Sequence, residues 1–157
     1  MTRAYLAFTE KGLALAQKLA SALPGTVARC GHGGPSLADW AAEQFAHADA
    51  LIFVGAVGIA VRAIAPHCRN KAVDPAVVVL DECGHFAVPI LSGHLGGAND
   101  LARALAAVCG AVPVITTATD ANGVFAVDAW ARHQNCAVLE PERIKRVSSR
   151  LLAGGPV

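Results

Sequence analysis

The stretch ALIFVGAVGIAVRAIAP, residues 50–66, decides the fold of this 157-residue chain. It begins with five consecutive apolar residues, Ala50–Val54, a pattern typical of a strand in a parallel sheet that is covered on both faces. Gly55 and Gly58 follow directly and permit a tight turn, after which Ile59–Ile64 predicts a short helix that the final proline ends. A buried strand that leads at once into a helix is the repeating unit of α/β proteins.

The segments before this stretch repeat the alternation of strand and helix. Thr9 and Ser36 are of the residue types that cap helix N-termini, and each precedes a predicted helix. Such alternation favours a parallel sheet whose crossover connections are right-handed. The predicted elements are a strand at Ala4–Phe8, a helix with leucines at 15, 19 and 23, a strand at Thr26–Cys30 and a helix from Ser36 to about Phe45.

The segments after this stretch include one reversal of direction. Val77–Leu80 is a predicted strand, and Asp81–Gly84 has the composition of a turn into a second strand at Phe86–Ile90, so this pair predicts an antiparallel hairpin. We therefore expect an α/β fold with three layers, namely a mainly parallel sheet with helices on both faces and one hairpin. The remaining predicted elements are a helix at Asn99–Val108 ended by Gly110, a strand at Val112–Thr116, a helix at Val127–Gln134 and a basic helix at Pro141–Leu152.

The composition excludes several classes of protein. Hydrophobic residues make up 54% of the chain and charged residues 16%, which allows a substantial core and disfavours disorder. A net charge of +1 without a Lys/Arg cluster gives no case for nucleic-acid binding, and the longest apolar run is too short to span a membrane. With no secretory signal and five cysteines that lack CxxC spacing, we expect a cytoplasmic protein with reduced thiols.

Two polar segments carry the candidate chemistry. Residues 91–102 read LSGHLGGANDLA and residues 114–120 read VITTATD. Clusters of small and polar residues at strand-to-helix junctions are where α/β proteins bind ligands. Neither GxxxxGK[ST] nor GxGxxG occurs, so no generic phosphate motif explains them.

His94 is the candidate catalytic residue, because its imidazole can act as a general base or acid near neutral pH. Ser92 is less convincing as a nucleophile, because it lies outside a GxSxG elbow. Both residues could instead bind polar parts of a ligand or cap the next helix. Asp120 is the candidate partner that orients His94, since both residues follow neighbouring predicted strands, although Asp120 could equally form a turn before Asn122.

The other candidate residues would bind a ligand. Gly96 and Gly97 would bring backbone N–H groups close to an anion before a helix N-terminus, or would only serve the turn. Asn99 could cap that helix. Arg62 could bind a carboxylate, or lie on a helix surface, or pair with an aspartate. The full predicted set of ligand-binding residues is Arg62, Ser92, Gly93, Gly96, Gly97, Asn99, Thr116, Thr117 and Thr119.

The placement of these residues is also predicted. The segments Gly55–Arg62, Leu91–Asn99 and Thr116–Asp120 each follow a predicted strand, so we expect them to meet at one edge of the sheet. Two groupings of possible zinc ligands, one of Cys83 and His85 with His94 and one of His67 with Cys68, lack the usual spacing. We therefore expect no protein-bound metal.

Several of these stretches resemble one known family. GAVGIAVRAIAP (residues 55–66), KAVDPAVVVLDECG (71–84), LSGHLGGAN (91–99) and VITTATD (114–120) occur in the same order as in the N-terminal region of the cobalamin-biosynthesis protein G family, and the similarity is dense from about residue 48 to 131. The family includes the hydrolase of cobalt-precorrin-5A in the anaerobic vitamin B12 pathway.

The resemblance implies a reaction and a substrate. The substrate would be a cobalt corrinoid that carries many acetate and propionate groups, and the cobalt would belong to the substrate. The reaction would open the ring A δ-lactone and release acetaldehyde to give cobalt-precorrin-5B, with no cofactor. His94 would be the base that activates water, and backbone N–H groups near Gly96 and Gly97 with Thr117 or Thr119 would stabilise an oxyanion.

The resemblance also implies an organisation of domains. Residues 1–140 would form the α/β N-terminal domain, and residues 141–157 a terminal helix and linker toward a C-terminal domain that this chain lacks. An alternative function is a non-catalytic corrinoid-binding module that acts with a separate C-terminal partner. A small regulatory α/β domain unrelated to corrinoids is a third possibility, and the oligomeric state stays open.

Overall fold

A six-stranded mixed sheet forms the centre of the computed structural model, which describes residues 1–157. The strands lie in the order β2-β1-β3-β4-β5-β6. The strands are β1 (Arg3–Ala7), β2 (Thr26–Arg29), β3 (Ala50–Val54), β4 (Ala76–Leu80), β5 (Phe86–Leu91) and β6 (Val112–Pro113). The helices are α1 (Glu10–Ala22), α2 (Leu37–His47), α3 (Val57–Ile64), α4 (Ala98–Cys109), α5 (Ala118–Ala121), α6 (Val127–His133) and α7 (Ile144–Leu152), with 3-10 turns at Ala65–His67 and Pro141–Arg143.

The direction of the strands gives the sheet two different edges. Strands β1 to β4 are mutually parallel, β5 runs antiparallel to β4, and β6 runs parallel to β5. The carboxyl ends of β5 and β6 therefore lie where β1 to β4 begin. We call this edge, at which residues 92–97 follow β5, the His94 edge, and the opposite edge, at which Gly55 follows β3, the Gly55 edge.

The core lies on both faces of the sheet. Along β3, Ile52 contributes to one apolar cluster, whereas Leu51 and Phe53 contribute to the other, as the two-residue period of a strand requires. Helices α1 and α4 cover the first face, and α2 and α3 cover the second. All five residues of β3 are buried, which confirms the predicted three-layer α/β fold with its antiparallel hairpin.

The structure confirms the residues that were predicted to begin and end three of the helices. The side chain of Thr9 accepts a hydrogen bond from the backbone N–H of Gly12 at 3.0 Å, and Ser36 accepts one from Asp39 at 3.1 Å. Gly110 ends α4 with a φ of 78°, in the left-handed region that favours glycine.

Two predicted elements are corrected at their ends. The strand predicted at Val112–Thr116 is only two residues long, because Pro113 has no N–H to donate and the chain leaves the sheet after Val114 donates to Ala87. The basic helix predicted at Pro141–Leu152 begins as a 3-10 turn, and its regular part starts at Ile144. No helix in the structure has both the length and the apolar character needed to cross a membrane.

Candidate functional site

The loop between β5 and α4 is held by contacts within the chain. Ser92 is buried, has a φ of 56° and donates its hydroxyl to the carbonyl of Asp74 at 2.9 Å. A Cβ on Gly96 would come within 2.4 Å of the Ser92 Cβ, and one on Gly93 within 2.9 Å of the Asn99 Oδ1. Ser92, Gly93 and Gly96 therefore have packing roles that explain their residue types without a ligand.

The start of α4 uses most of its own backbone donors. The N–H groups of Gly97, Ala98 and Asn99 donate to the carbonyls of His94, Ser92 and Gly93 at 3.0 to 3.1 Å. Gly97, rather than Asn99, is the N-cap residue, with a φ of 83°. Because these donors already have acceptors in the loop, the geometry does not favour the anion site expected at this helix N-terminus.

His94 lies at the centre of a charged cluster at the His94 edge. Its Nε2 is 2.6 Å from Oδ2 of Asp120, and its Nδ1 is 3.3 Å from Oδ1 of Asp128. The side chain is 15% exposed. Hydrogen bonding to Asp128 and then to Asp120 outweighs the opposing effect of burial and raises the pKa of His94 to about 9. The imidazole is therefore a cation at neutral pH, with Nε2 hydrogen-bonded to Asp120 and Nδ1 within ion-pair distance of Asp128.

Asp120 accepts hydrogen bonds on both carboxylate oxygens. Burial alone would raise its pKa, but hydrogen bonds from Thr117, His94 and Arg103 hold the pKa well below its usual range. Thr117 donates at 2.6 Å and Arg103 at 2.8 Å. The buried side-chain amide of Asn99 donates to Thr117 at 2.9 Å and to Asp120 at 3.3 Å. Asn99 therefore ties α4 to α5 instead of capping its own helix.

Like Arg103, Asp128, in the first turn of α6, is a member of this cluster that the sequence reasoning missed. It is only 4% exposed, and hydrogen bonding to His94 lowers its pKa against the effect of burial. Its Oδ1 also accepts the N–H of Ala129, whereas its Oδ2 has no hydrogen-bond partner in the chain. An aspartate directly after the start of a predicted helix was the available signal, but that position is also common for structural reasons.

A second ion cluster joins α6 to α4. The carboxylate of Asp100 receives hydrogen bonds from Arg132 at 2.5 Å and from His133 at 2.6 Å. Arg103 bridges Asp100 and Asp120, so the two clusters are continuous. A Cβ on Gly97 would lie 2.3 Å from the Arg132 guanidinium, so a side chain at this position would push the guanidinium away from its present place.

A cleft of about 520 Å³ opens beside His94, between α5 and α7. His94 and Asp128 line it together with hydroxyl groups from Thr117, Thr119, Ser148 and Ser149. Lys71, from the loop before β4, and Lys145, from α7, also line it, and neither ammonium forms an ion pair within the chain. The cleft therefore combines a charged imidazole, two lysine ammonium groups and neutral donors with the carboxylates of Asp128 and Glu142. The three cations outnumber the two carboxylates, which suits a substrate with carboxylate groups.

Two of the three segments expected to meet do so. Leu91–Asn99 and Thr116–Asp120 come together at the His94 edge, where Thr119 is buried and its hydroxyl lies 3.4 Å from His94 Nε2. The expectation is wrong for Gly55–Arg62, which begins at the Gly55 edge because β5 is reversed relative to β3. Arg62 lines a separate groove with residues of α2. Thr116 is exposed and its side chain makes no hydrogen bond.

The candidate zinc residues are also separated. Cys83 and His85 lie in the hairpin turn at the Gly55 edge, far along the strand from His94. Asp81, Cys83 and His85 offer ligand atoms within 4.8 Å of one another. However, Asp81 accepts three backbone N–H groups of its own turn, and the Lys11 ammonium lies 3.0 Å from the Cys83 sulfur. These donor atoms are engaged within the chain.

Comparison with known proteins assigns the family. Residues 39–120, more than half of the chain, match the family model described as Cobalamin synthesis G N-terminal. The chain belongs to this family. The matched residues include the His94 loop and end at Asp120, so they cover one of the two carboxylates of His94 and exclude Asp128.

Members of this family with curated names are longer than this chain. The cobalt-precorrin-5A hydrolase of Salmonella typhimurium is 42% identical to it over 95% of this chain and 45% of its own length. That of Priestia megaterium is 41% identical over 65% of this chain and 27% of its own length. This chain therefore spans less than half the length of the curated relatives that it matches.

One solved structure supports the fold. The crystal structure of a protein described as a cobalamin biosynthesis protein G homolog from Sulfolobus solfataricus matches with a TM-score of 0.62 and 24% sequence identity. The match covers 97% of this chain and 46% of that chain.

Proposed function

We propose that this chain contributes the N-terminal, corrinoid-binding part of a cobalt-precorrin-5A hydrolase in anaerobic cobalamin biosynthesis. The reaction opens the ring A δ-lactone by hydrolysis and releases acetaldehyde, which gives cobalt-precorrin-5B. Two curated relatives with this name, at 41% and 42% identity, support the assignment. The structural observation that supports the proposed function is the cleft beside His94, which is lined by two lysines without ion-pair partners.

The cleft suits the periphery of the proposed substrate. A cobalt corrinoid at this stage carries acetate and propionate groups, and carboxylates are bound by ammonium groups and hydroxyls. Lys71 and Lys145 lie on the loop before β4 and on α7, so they approach the cleft from separate elements. We infer that they bind carboxylates of the macrocycle, while Thr119 and Ser149 donate hydrogen bonds. The cobalt belongs to the substrate, and the proposal requires no cofactor.

The charge on His94 favours a role other than the base that the sequence suggested. A histidine whose pKa is about 9 cannot accept a proton from water at neutral pH without first losing its own. As an imidazolium it would stabilise negative charge that develops on the lactone oxygen. Asp128 lines the cleft, and its Oδ2, which has no hydrogen-bond partner in the chain, would accept a hydrogen bond from the attacking water. Asp120 would then act as a positioning residue for His94.

Corrinoid binding tests the substrate class. Cobyrinic acid, which carries free carboxylates, should bind to the purified chain and change its absorption spectrum, whereas cobinamide, in which amides replace them, should bind roughly ten-fold or more weakly. The double variant Lys71→Gln/Lys145→Gln should lose the preference for cobyrinic acid, and Lys18→Gln, on the exposed face of α1, is the matched control. Equal binding of both corrinoids, or no binding of either, would contradict the proposal.

Turnover separates the enzyme from a binding module. We expect the isolated chain to bind corrinoid but to release little acetaldehyde from cobalt-precorrin-5A. The reason is that the matched region covers only 45% of the length of the Salmonella typhimurium relative. Activity should appear when the chain is joined to the remaining part of the Salmonella typhimurium relative. A joined protein that binds the substrate but stays inactive would favour the non-catalytic corrinoid-binding module.

A further inference from the structure

A second group of cations lines a groove on the other flank of α7. Arg143, Arg146 and Arg150 line a groove of about 520 Å³ together with Val147 and the last two residues of the chain. Lys145 and Ser149, by contrast, line the cleft beside His94. The spacing of three and four residues between the arginines places them on one flank of the helix. We call this feature the arginine groove.

Interactions within the chain do not explain these arginines. Arg143 pairs with Glu140 at 3.0 Å, but Arg146 and Arg150 make no ion pair and no side-chain hydrogen bond. Like charges one turn apart on a helix repel each other, so the pair disfavours folding unless an anion lies nearby. This unbalanced charge indicates that the groove accommodates an anionic group.

The wall of the groove is defined by local structure. Gly154 has a φ of 74° and donates to the carbonyl of Leu151, and Gly155 donates to that of Arg150 at 2.9 Å. These two bonds form a helix-ending motif that turns the chain back toward α7. A Cβ on Gly155 would lie only 3.2 Å from Cγ of Arg150, so the turned chain packs against that arginine. Pro156 then follows as an apolar wall of the groove.

We propose that the arginine groove is a carboxylate-binding site, distinct from the cleft beside His94. On the proposed function, from which the identity of the ligand follows, it takes acetate and propionate groups at a second part of the macrocycle periphery. A guanidinium binds a carboxylate through two parallel hydrogen bonds. Val147 and Pro156 contact the apolar edge of the ring that carries those groups. Helix α7 thus presents cations to the substrate on both of its flanks.

Titration with benzenehexacarboxylate, a planar polycarboxylate, tests the groove directly by NMR of the arginine side-chain Nε–H signals. Saturable shifts of the Arg146 and Arg150 signals are expected. The double variant Arg146→Gln/Arg150→Gln should bind the probe about ten-fold or more weakly. The control Lys18→Gln/Arg69→Gln removes the same charge from α1 and from the loop before β4 and should bind as the wild type does. Absence of saturable shifts, tighter binding of inorganic phosphate, or equal loss in the control would overturn the inference.

Cobyrinic acid separates the failure of this inference from that of the proposed function. If the arginine double variant binds cobyrinic acid as tightly as the wild type, the groove takes no part in substrate binding and the inference is overturned, while the cleft remains. If the wild type binds benzenehexacarboxylate at the arginines but does not bind cobyrinic acid, the arginine groove is supported as a carboxylate site and the proposed function fails.

Discussion

At the Gly55 edge, the ring of Phe8 lies over Gly55, so closely that a Cβ on the glycine would come within 2.7 Å of it. At the His94 edge, Gly97 leaves the same kind of space, but the guanidinium of Arg132 occupies it and continues into the ion clusters around Asp100 and His94. Both edges include glycines, yet an apolar ring lies over Gly55, whereas a guanidinium that continues into a network of charges lies against Gly97.

This difference shows what distinguishes a site from a turn in this fold. The Gly55 edge packs Phe8 over its glycine and engages the polar groups of its hairpin turn within the chain, whereas the His94 edge holds a buried aspartate, a charged histidine and two lysines without partners. Burying charge is unfavourable unless the charges are paired, and here His94 is paired with Asp120 and Asp128, whereas Lys71 and Lys145 at the cleft are not. Glycine marks tight geometry at both edges, but only charged groups that the chain leaves without a partner indicate chemistry.

The largest effect is expected from removing the imidazole at the His94 edge. His94→Ala should lower kcat by roughly two to four orders of magnitude in the protein completed with the C-terminal part of a relative, since the cation that we propose stabilises the reacting oxygen would be lost. The control His47→Ala removes an exposed histidine that pairs only with Glu43. Circular dichroism must show that the variant is folded. Wild-type kcat/KM in the folded variant would remove His94 from the mechanism.

Two glycine-to-alanine substitutions should separate the cost of backbone strain from the cost of a contact with a neighbouring side chain. Gly97→Ala introduces a Cβ at a φ of 83° and also pushes the Arg132 guanidinium from its place beside Asp100, and should lower the free energy of unfolding by about 2 kcal/mol. Gly110→Ala has a similar φ of 78° but open space around it, so about 1 kcal/mol is expected. Urea denaturation measures both changes. Equal losses would mean that the contact with Arg132 contributes nothing.

The stability of the His94 edge should depend on pH with a definite sign. Because the folded state raises the pKa of His94 from 6.5 to about 9, its contribution is fully present below pH 6.5 and is lost as the pH rises through 9. The loss should amount to about 1–3 kcal/mol after solvent screening. Asp128→Asn should flatten this dependence in urea denaturation series between pH 6 and 10. A wild type whose stability does not change over that interval would contradict the assigned charge.

The smallest effect is expected at Arg62. This residue lines a groove with α2 and lies outside the charged clusters, so Arg62→Gln should change the Kd for cobyrinic acid by less than about two-fold. Absorption titration of Arg62→Gln and of Lys145→Gln, measured in parallel, compares two variants that each remove one positive charge from a helix. A ten-fold loss in Arg62→Gln alone would transfer the binding site to the α2 side of the molecule.

The order and direction of the strands explain which residues of the site could be predicted from the sequence. The approach of His94 to Asp120 could be predicted, because each follows one of two adjacent strands, β5 and β6. The predicted hairpin also separates Arg62 from His94, because a reversed strand delivers its carboxyl end to the other edge of the sheet. Asp128 could not be found in this way, since α6 is placed by packing and by ion pairs to α4 rather than by a strand.

The pKa of His94 in the folded chain tests the central claim most directly. NMR titration of its imidazole signals, assigned with His94→Gln, should give a pKa of about 9, and Asp128→Asn should lower it. The other histidines serve as internal references in the same spectra. A pKa near 6.5 that Asp128→Asn leaves unchanged would mean that His94 is not held as a cation between two carboxylates, and the account of this edge would fail.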